Sequence, residues 1–165
     1  MYHGESHTSI DEKGRLNVPK EFRQAMDHDD HDTWYLTRGF DGYVFLFEKQ
    51  DWLRLVSVLE QRPESGPLNP RLLDFQRFFI GGATKVKRDS AGRLLIPGYL
   101  REYADIDRDA VLLGVSDHLE LWNKERWRTF QQANMKSFKE LASELFGGTL
   151  FSGAATTGGE QDAER

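Results

Sequence analysis

The sequence predicts an α+β fold: a pseudo-twofold duplication of one small unit, with flanking helices and a C-terminal helix. Three observations predict it. The phrase DEKGRLNVP at residues 11–19 returns as DSAGRLLIP at residues 89–97, 78 positions later. A second block, YVFLFEKQDW at 43–52, returns as HLELWNKERW at 118–127, with an offset of 75. Between and after these blocks, apolar residues fall at helical rather than strand spacing. Self-similarity at a fixed offset is the mark of a repeated structural unit, here of roughly fifty residues. The second copy is three residues shorter, and the difference falls near the acidic DHDDHD loop at 27–32, where length changes are tolerated best.

Each unit reads as strand, turn, strand, short helix, strand, turn, strand. SHTSI and TKVKR are the first strands. Asp-x-x-Gly is a turn: Asp bonds the backbone ahead of it, and Gly supplies the position needing positive φ. RLNV and RLLI return as second strands. Pro19 and Pro97 open short helices, since proline is favoured in a first turn. On these helices Phe22 and Met26, and Leu100 and Tyr103, share a face. A second hairpin follows in each unit, TWYLTR to YVFLFE and AVLLGV to LELW. Between the units, Leu55, Val56 and Leu59 mark one helix, RPESGPLNP breaks it, and Leu72, Phe75 and Phe79 mark another. After Trp127, one long helix is expected, with Phe130, Phe138, Leu141 and Leu145 as its stripe. The expected organisation is repeat 1 at 5–52, a helical connector at 53–80, repeat 2 at 81–127, a C-terminal helix at 128–146, and a mobile Gly/Ala/Thr-rich tail at 147–165.

Composition bounds the function. A chain of 165 residues fits one compact domain or two small ones. With 38% hydrophobic and 30% charged residues it belongs to the globular class. There is no cysteine, which excludes disulfides and thiol catalysis. No apolar run approaches the ~20 residues of a membrane span, and no basic-then-apolar leader opens the chain. A cytoplasmic location is therefore expected. The net charge of −5 argues against a non-specific polyanion binder. Between residues 85 and 101, however, five cations, Lys85, Lys87, Arg88, Arg93 and Arg101, stand against one anion, Asp89, which gives a local basic face around the second phrase.

A turn explains Asp and Gly in the repeated phrase, but it does not require the following arginine. Arg15 and Arg93 occupy equivalent hairpin ends. They suit contacts with phosphates, or with guanine edges, which accept two hydrogen bonds from one guanidinium. The alternative role is an ion pair with Asp11 or Asp89 that stiffens the loop, and both roles are compatible. HDDHD at 28–32 carries possible metal ligands but occurs in one repeat only, and reads as a solvated loop. In GVSDH at 114–118, Ser, Asp and His are adjacent rather than convergent, which is a turn and not a triad. No phosphate-binding loop, nucleophile elbow or zinc-protease motif is present, so no enzyme, cofactor or metal is expected. FQRFF and Trp52, Trp122 and Trp127 could stack bases. Their spacing favours packing in the core or between subunits.

The near-terminal Gly4, DEKGRLNVP, LTRGFDG, FQRFFIGGA, DSAGRLLIP, LREYA and LELWNKERW occur in order across residues 1–127. In these the chain resembles the MraZ family of bacterial transcriptional regulators, built from two SpoVT-AbrB-type units. The resemblance implies a duplicated swapped-hairpin (AbrB-like) β-barrel. It implies sequence-specific binding of double-stranded DNA at short G-rich direct repeats, as a homo-oligomeric ring, and repression of the chain's own operon in the division and cell-wall gene cluster. The location would be cytoplasmic and nucleoid-associated, with no membrane and no small-molecule substrate. The family's Asp-x-x-x-Arg signature for DNA binding falls on Asp11 and Arg15, and on Asp89 and Arg93. Lys13, Lys85, Lys87 and Arg88 join them on charge and proximity alone. A ring would reconcile the acidic net charge with DNA binding, because weak contacts combine when repeat and subunit spacing match. The alternative is a protein-binding module of the same fold class, antitoxin-like, that relies on SFKELASELFGG at 137–148.

Overall fold

A computed structural model of the chain describes residues 1–26, 32–61 and 69–147. The His/Asp loop up to residue 31, most of the RPESGPLNP break and the tail beyond 147 lie outside the described residues. Residues 1–127 form one compact unit and the remainder a second.

The first unit is mixed α+β. Its strands are β1 (Tyr2–Ser9), β2 (Arg15–Leu16), β3 (Thr33–Arg38), β4 (Val44–Glu48), β5 (Thr84–Lys87), β6 (Leu94–Leu95), β7 (Asp109–Ser116) and β8 (His118–Asn123). Its helices are α1 (Lys20–Ala25), α2 (Lys49–Glu60), α3 (Pro70–Phe79) and α4 (Gly98–Ala104), and α5 (Lys124–Asn134) begins in it. Six strands form one antiparallel sheet in the order β1-β7-β8-β4-β3-β5, and β2 and β6 form a separate two-stranded ribbon.

That order exchanges strands between the repeats. The first strand of repeat 1, β1, pairs with β7 of repeat 2 from Tyr2↔Ser116 to Ser9↔Asp109. The first strand of repeat 2, β5, pairs with β3 of repeat 1. At the centre β4 meets β8, equivalent strands of the two copies. The sheet is symmetric about that pair, as a duplication requires. Among the described residues it is open, with β1 and β5 at its edges, and not the closed barrel that was expected. The ribbon strands are two residues long, bounded by Gly and Pro, and too short to bridge the edges.

Two other expectations are corrected. The first strand starts at Tyr2 rather than at the SHTSI segment, because β7 presents an eight-residue ladder to pair with. The single long C-terminal helix is two: α5 ends at Asn134, a 3-10 turn spans Met135–Ser137, and α6 runs over Phe138–Phe146. Asn134 turns its amide back on the Phe130 carbonyl at 2.8 Å.

Each face of the sheet has its own cover. On one side α1, α4 and the ribbon bury Leu16, Phe22, Met26, Leu94, Ile96 and Leu100 against Trp34, Leu36, Leu46, Leu112, Leu119 and Leu121. On the other, the alternate residues of β4, Phe45 and Phe47, meet Trp52 of α2 and Phe79 of α3. Trp52 stacks on Tyr35 at 5.4 Å and on Phe79 at 5.7 Å. All five residues of β4 are buried, since both of its faces are covered. Phe75 and Phe79 of the FQRFF segment, with Trp52 and Trp122, thus pack within the fold, Phe78 stays exposed, and Trp127 lies 5.3 Å from Trp122.

Candidate nucleic-acid interface

The two Asp-x-x-Gly-Arg phrases fold identically. In each, the Gly amide donates to the Asp carbonyl at 2.9 Å, and the Asp amide donates to the Arg carbonyl at 2.9 Å. The Asp side chain then stitches the loop. Asp11 Oδ1 accepts from the amides of Lys13 (3.0 Å) and Arg15 (2.9 Å), and Asp89 Oδ1 accepts from those of Ala91 and Arg93 (both 2.9 Å). The other carboxylate oxygen takes the guanidinium: Arg15 Nε to Asp11 Oδ2 at 2.7 Å, Arg93 Nε to Asp89 Oδ2 at 2.8 Å. Gly14 and Gly92 hold φ of 81° and 76°, a region costly for any residue with a Cβ. Gly14→Ala or Gly92→Ala should each cost about 1–2 kcal/mol of stability from backbone strain, measured as a lowered unfolding midpoint.

The clamp sets the ionisation of the carboxylates. The Arg15 amide holds Asp11 below the ordinary value of 3.8 against an opposing desolvation, aided by the Arg15 side chain and the Lys13 amide; Asp89 is held down in the same way by Arg93 and Ala91. A lowered pKa contributes stability that is present above the unfolded value and lost as pH falls through the folded value. The turns should therefore hold unchanged down to about pH 4 and open only below it. Carboxyl carbon shifts followed by NMR should titrate with midpoints under 3.8; midpoints at or above that value would contradict the clamp.

The two turns are neighbours. Ribbon pairing sets Arg15 opposite Leu95, and the Ile96 amide donates to the Gly14 carbonyl at 2.8 Å. Arg93 Nη1 lies 3.9 Å from Asp11 Oδ2, across the repeat boundary. The arginines are thus not free outward probes. Their side chains are 29% and 30% exposed, Nε is committed to the turn, and the ion-pair alternative is the arrangement present. Among the described residues the Nη groups of Arg15 carry no hydrogen-bond partner, so a planar donor edge is held rigidly at the surface.

The other expected cations are scattered in role. Lys13 is exposed on the first turn, and Ala91 stands in its place on the second. Lys85 and Lys87 are exposed on edge strand β5, on the opposite face from Val86, which packs on the core. Arg88 is largely covered, at 13% exposure, with Nη2 on Asp32 Oδ1 at 3.1 Å. Two further arginines stand at the turns, Arg101, counted from sequence only in the basic segment, and Arg23, which was not singled out. Arg23 of α1 lies over the second turn, its Cδ 3.3 Å from where a Gly92 Cβ would sit. Arg101 of α4 lies over the first, its guanidinium 3.2 Å from the Gly14 equivalent. Each repeat's helix arginine covers the other repeat's turn. The 78-residue offset aligns Phe22-Arg23 with Leu100-Arg101, but the cross-repeat packing that gives this pair a place is not local in sequence.

GVSDH spans the tight turn from β7 to β8, with Ser116, the last residue of β7, at φ 62° and Asp117 between the strands. His118 sits between Asp117 (2.8 Å) and Glu120 (3.4 Å). Burial opposes its protonation, but bonds to these two carboxylates outweigh it and raise the pKa. Among the described residues no cluster of His, Asp or Glu is arranged to hold a metal, and no helix is long and apolar enough to cross a membrane.

Fold and site together define a duplicated α+β protein that exchanges strands between its halves and sets two matched Asp-clamped arginine turns side by side. A family model described as "MraZ protein, putative antitoxin-like" matches residues 1–74 and again 79–148. Relatives called transcriptional regulator MraZ match across most of the chain. The one from Natranaerobius thermophilus is 36% identical over 146 residues, covering 88% of this chain and 96% of its own length. The one from Dictyoglomus turgidum is 38% identical over 151 residues, covering 88% and 99%. The one from Moorella thermoacetica is 36% identical over 146 residues, covering 88% and 96%. The chain belongs to the MraZ family, a family of transcriptional regulators and not of enzymes.

Proposed function

We propose that this chain is a sequence-specific DNA-binding regulator that represses its own operon, in the division and cell-wall gene cluster, by occluding the promoter. The observation that carries the reading is the matched pair of turns, with Arg93 only 3.9 Å from the Asp11 carboxylate. One rigid guanidinium edge per repeat can read a guanine, and two adjacent edges can read a short G-rich box. Asp11 and Asp89 orient Arg15 and Arg93. Lys13, Lys85 and Lys87 supply positive potential beside them, and Arg88, whose charge is offset by Asp32, lines the cleft next to the second turn. The strand exchange between halves supports a swapped-hairpin duplication over 5–52 and 81–127, joined by the connector at 53–80 and followed by the segments 128–146 and 147–165.

Assembly into a ring on direct repeats belongs to the same reading. Phe40 and Phe78 are 68% and 66% exposed around a cleft of about 280 Å³ that Phe75, Phe79 and Tyr103 also line, an apolar surface suited to a neighbouring subunit. The place of action is the cytoplasm, on the nucleoid. Footprinting on the gene's own upstream region tests the reading. Protected G-rich boxes at a regular spacing are expected, and an unprotected upstream region would refute it.

One observation favours the antitoxin-like reading. On α6, Phe138, Leu141 and Leu145 are at least half exposed, an apolar stripe of the kind that docks on a partner protein. Deleting residues 137–165 separates the two: DNA binding should survive if the turns are the active part.

A further inference from the structure

The two turns are alike inside but differ in their surroundings. A cleft of about 570 Å³ adjoins the second turn, lined by Lys20, Arg23 and Gln24 of α1, by Asp32 and Arg88, and by the turn backbone from Asp89 to Gly92. Its three cations face two carboxylates, and both carboxylates are engaged: Asp32 by Arg88 and Asp89 by Arg93. Lys20 and Arg23 are exposed and have no side-chain partner among the described residues. The cleft beside the first turn, about 470 Å³, is lined instead by Asp11, Glu12 and Asp107 with Arg108 as its one cation. The repeat alignment explains the difference. Lys20 corresponds to Gly98, Arg88 to Ile10 and Ser90 to Glu12, so repeat exchange builds a basic cleft at one turn and an acidic one at the other. Arg101, the counterpart of Arg23, is in addition tied to the Ile96 carbonyl at 3.1 Å.

We infer that the Lys20–Arg23–Arg88 cleft is a binding site for the phosphate backbone of duplex DNA, and that the second turn is the anchoring one of the pair. Arg93 stands at the groove while Lys20 and Arg23 hold the phosphates beside it. The first turn carries Lys13 where the second has Ala91, but with Glu12 and Asp107 lining the cleft next to it, it reads its base without a comparable basic cleft. Contacts of this kind position a protein without specifying sequence. The acidic cleft would repel a phosphate and so fix the direction in which each subunit sits on an asymmetric box. This inference rests on the DNA-binding reading above.

The test is a salt titration of binding, by fluorescence anisotropy, to a duplex carrying the protected upstream boxes and to a shuffled duplex. Each lost phosphate contact flattens the log–log salt slope by ~0.9. Lys20→Ala/Arg23→Ala should flatten it by about 2 for each engaged subunit, and weaken both duplexes by similar factors. Arg108→Ala, in the acidic cleft, should leave the slope unchanged, and Lys20→Arg/Arg23→Lys should restore it. An unaltered slope in the double alanine variant, with preference for the boxes intact in wild type, overturns the anchoring cleft alone. No preference for the boxes in wild type overturns the DNA-binding reading and the cleft with it.

Discussion

Replacing both Arg15 and Arg93 by alanine should reduce affinity for a box-bearing duplex by at least about 30-fold while leaving the fold intact. A bidentate arginine–guanine contact discriminates by ~1–3 kcal/mol, so two lost contacts remove at least about 2 kcal/mol per subunit. In an assembly the loss multiplies across engaged subunits. Stability should barely change. The Arg15–Asp11 and Arg93–Asp89 pairs are partly exposed, and surface pairs of that kind contribute at most ~1 kcal/mol. After truncation each Asp still accepts two backbone amides, so no buried charge is stranded. Arg15→Lys separates charge from geometry. Lysine keeps the cation but not the planar fork, so discrimination should fall while the salt slope holds. Anisotropy with matched and shuffled duplexes reads both quantities.

The largest effect on stability is expected at Trp34. It is fully buried in β3, opposite Val86 of β5 and Glu48 of β4, with the Tyr2 ring 5.9 Å away. One side chain therefore packs against strands of both repeats. Truncating a buried aromatic to alanine costs ~3–5 kcal/mol. For a domain of ordinary stability, ~5–15 kcal/mol, that is a large part of the whole. Trp34→Ala should lower the denaturant midpoint sharply and lose DNA binding in parallel with folding. Phe40→Ser should leave the unfolding transition of the isolated subunit nearly unchanged, because Phe40 is mostly exposed. If Trp34→Ala unfolds at the wild-type midpoint, the strand exchange through β3 is wrong.

What could be read in advance was local. Asp11, Gly14, Asp89 and Gly92 announce a turn by residue type, and Pro19 and Pro97 announce the start of a helix. The offsets of 78 and 75 make the duplication plain. Strand partnership was not legible, because period-two alternation shows which residues face the core but not which strand lies alongside. Nothing in HGESHTS indicates pairing with β7, and its polar residues hide the start of β1 at Tyr2. The break between α5 and α6 was masked by an apolar stripe that continues through Met135 and Phe138. At the site, the arginines were identified, and both their free and their clamped roles were visible. Their mutual proximity and the covering Arg23 and Arg101 arise only when one repeat folds over the other.

The central claim is that the paired turns read promoter DNA. Footprinting the upstream region of the gene with wild type and with Arg15→Ala/Arg93→Ala, at matched protein concentration, tests it most directly. Wild type should protect G-rich boxes spaced about one helical turn apart, on one side of the duplex, and the double variant should protect none of them. Equal protection by both proteins, or none by wild type, would contradict the account.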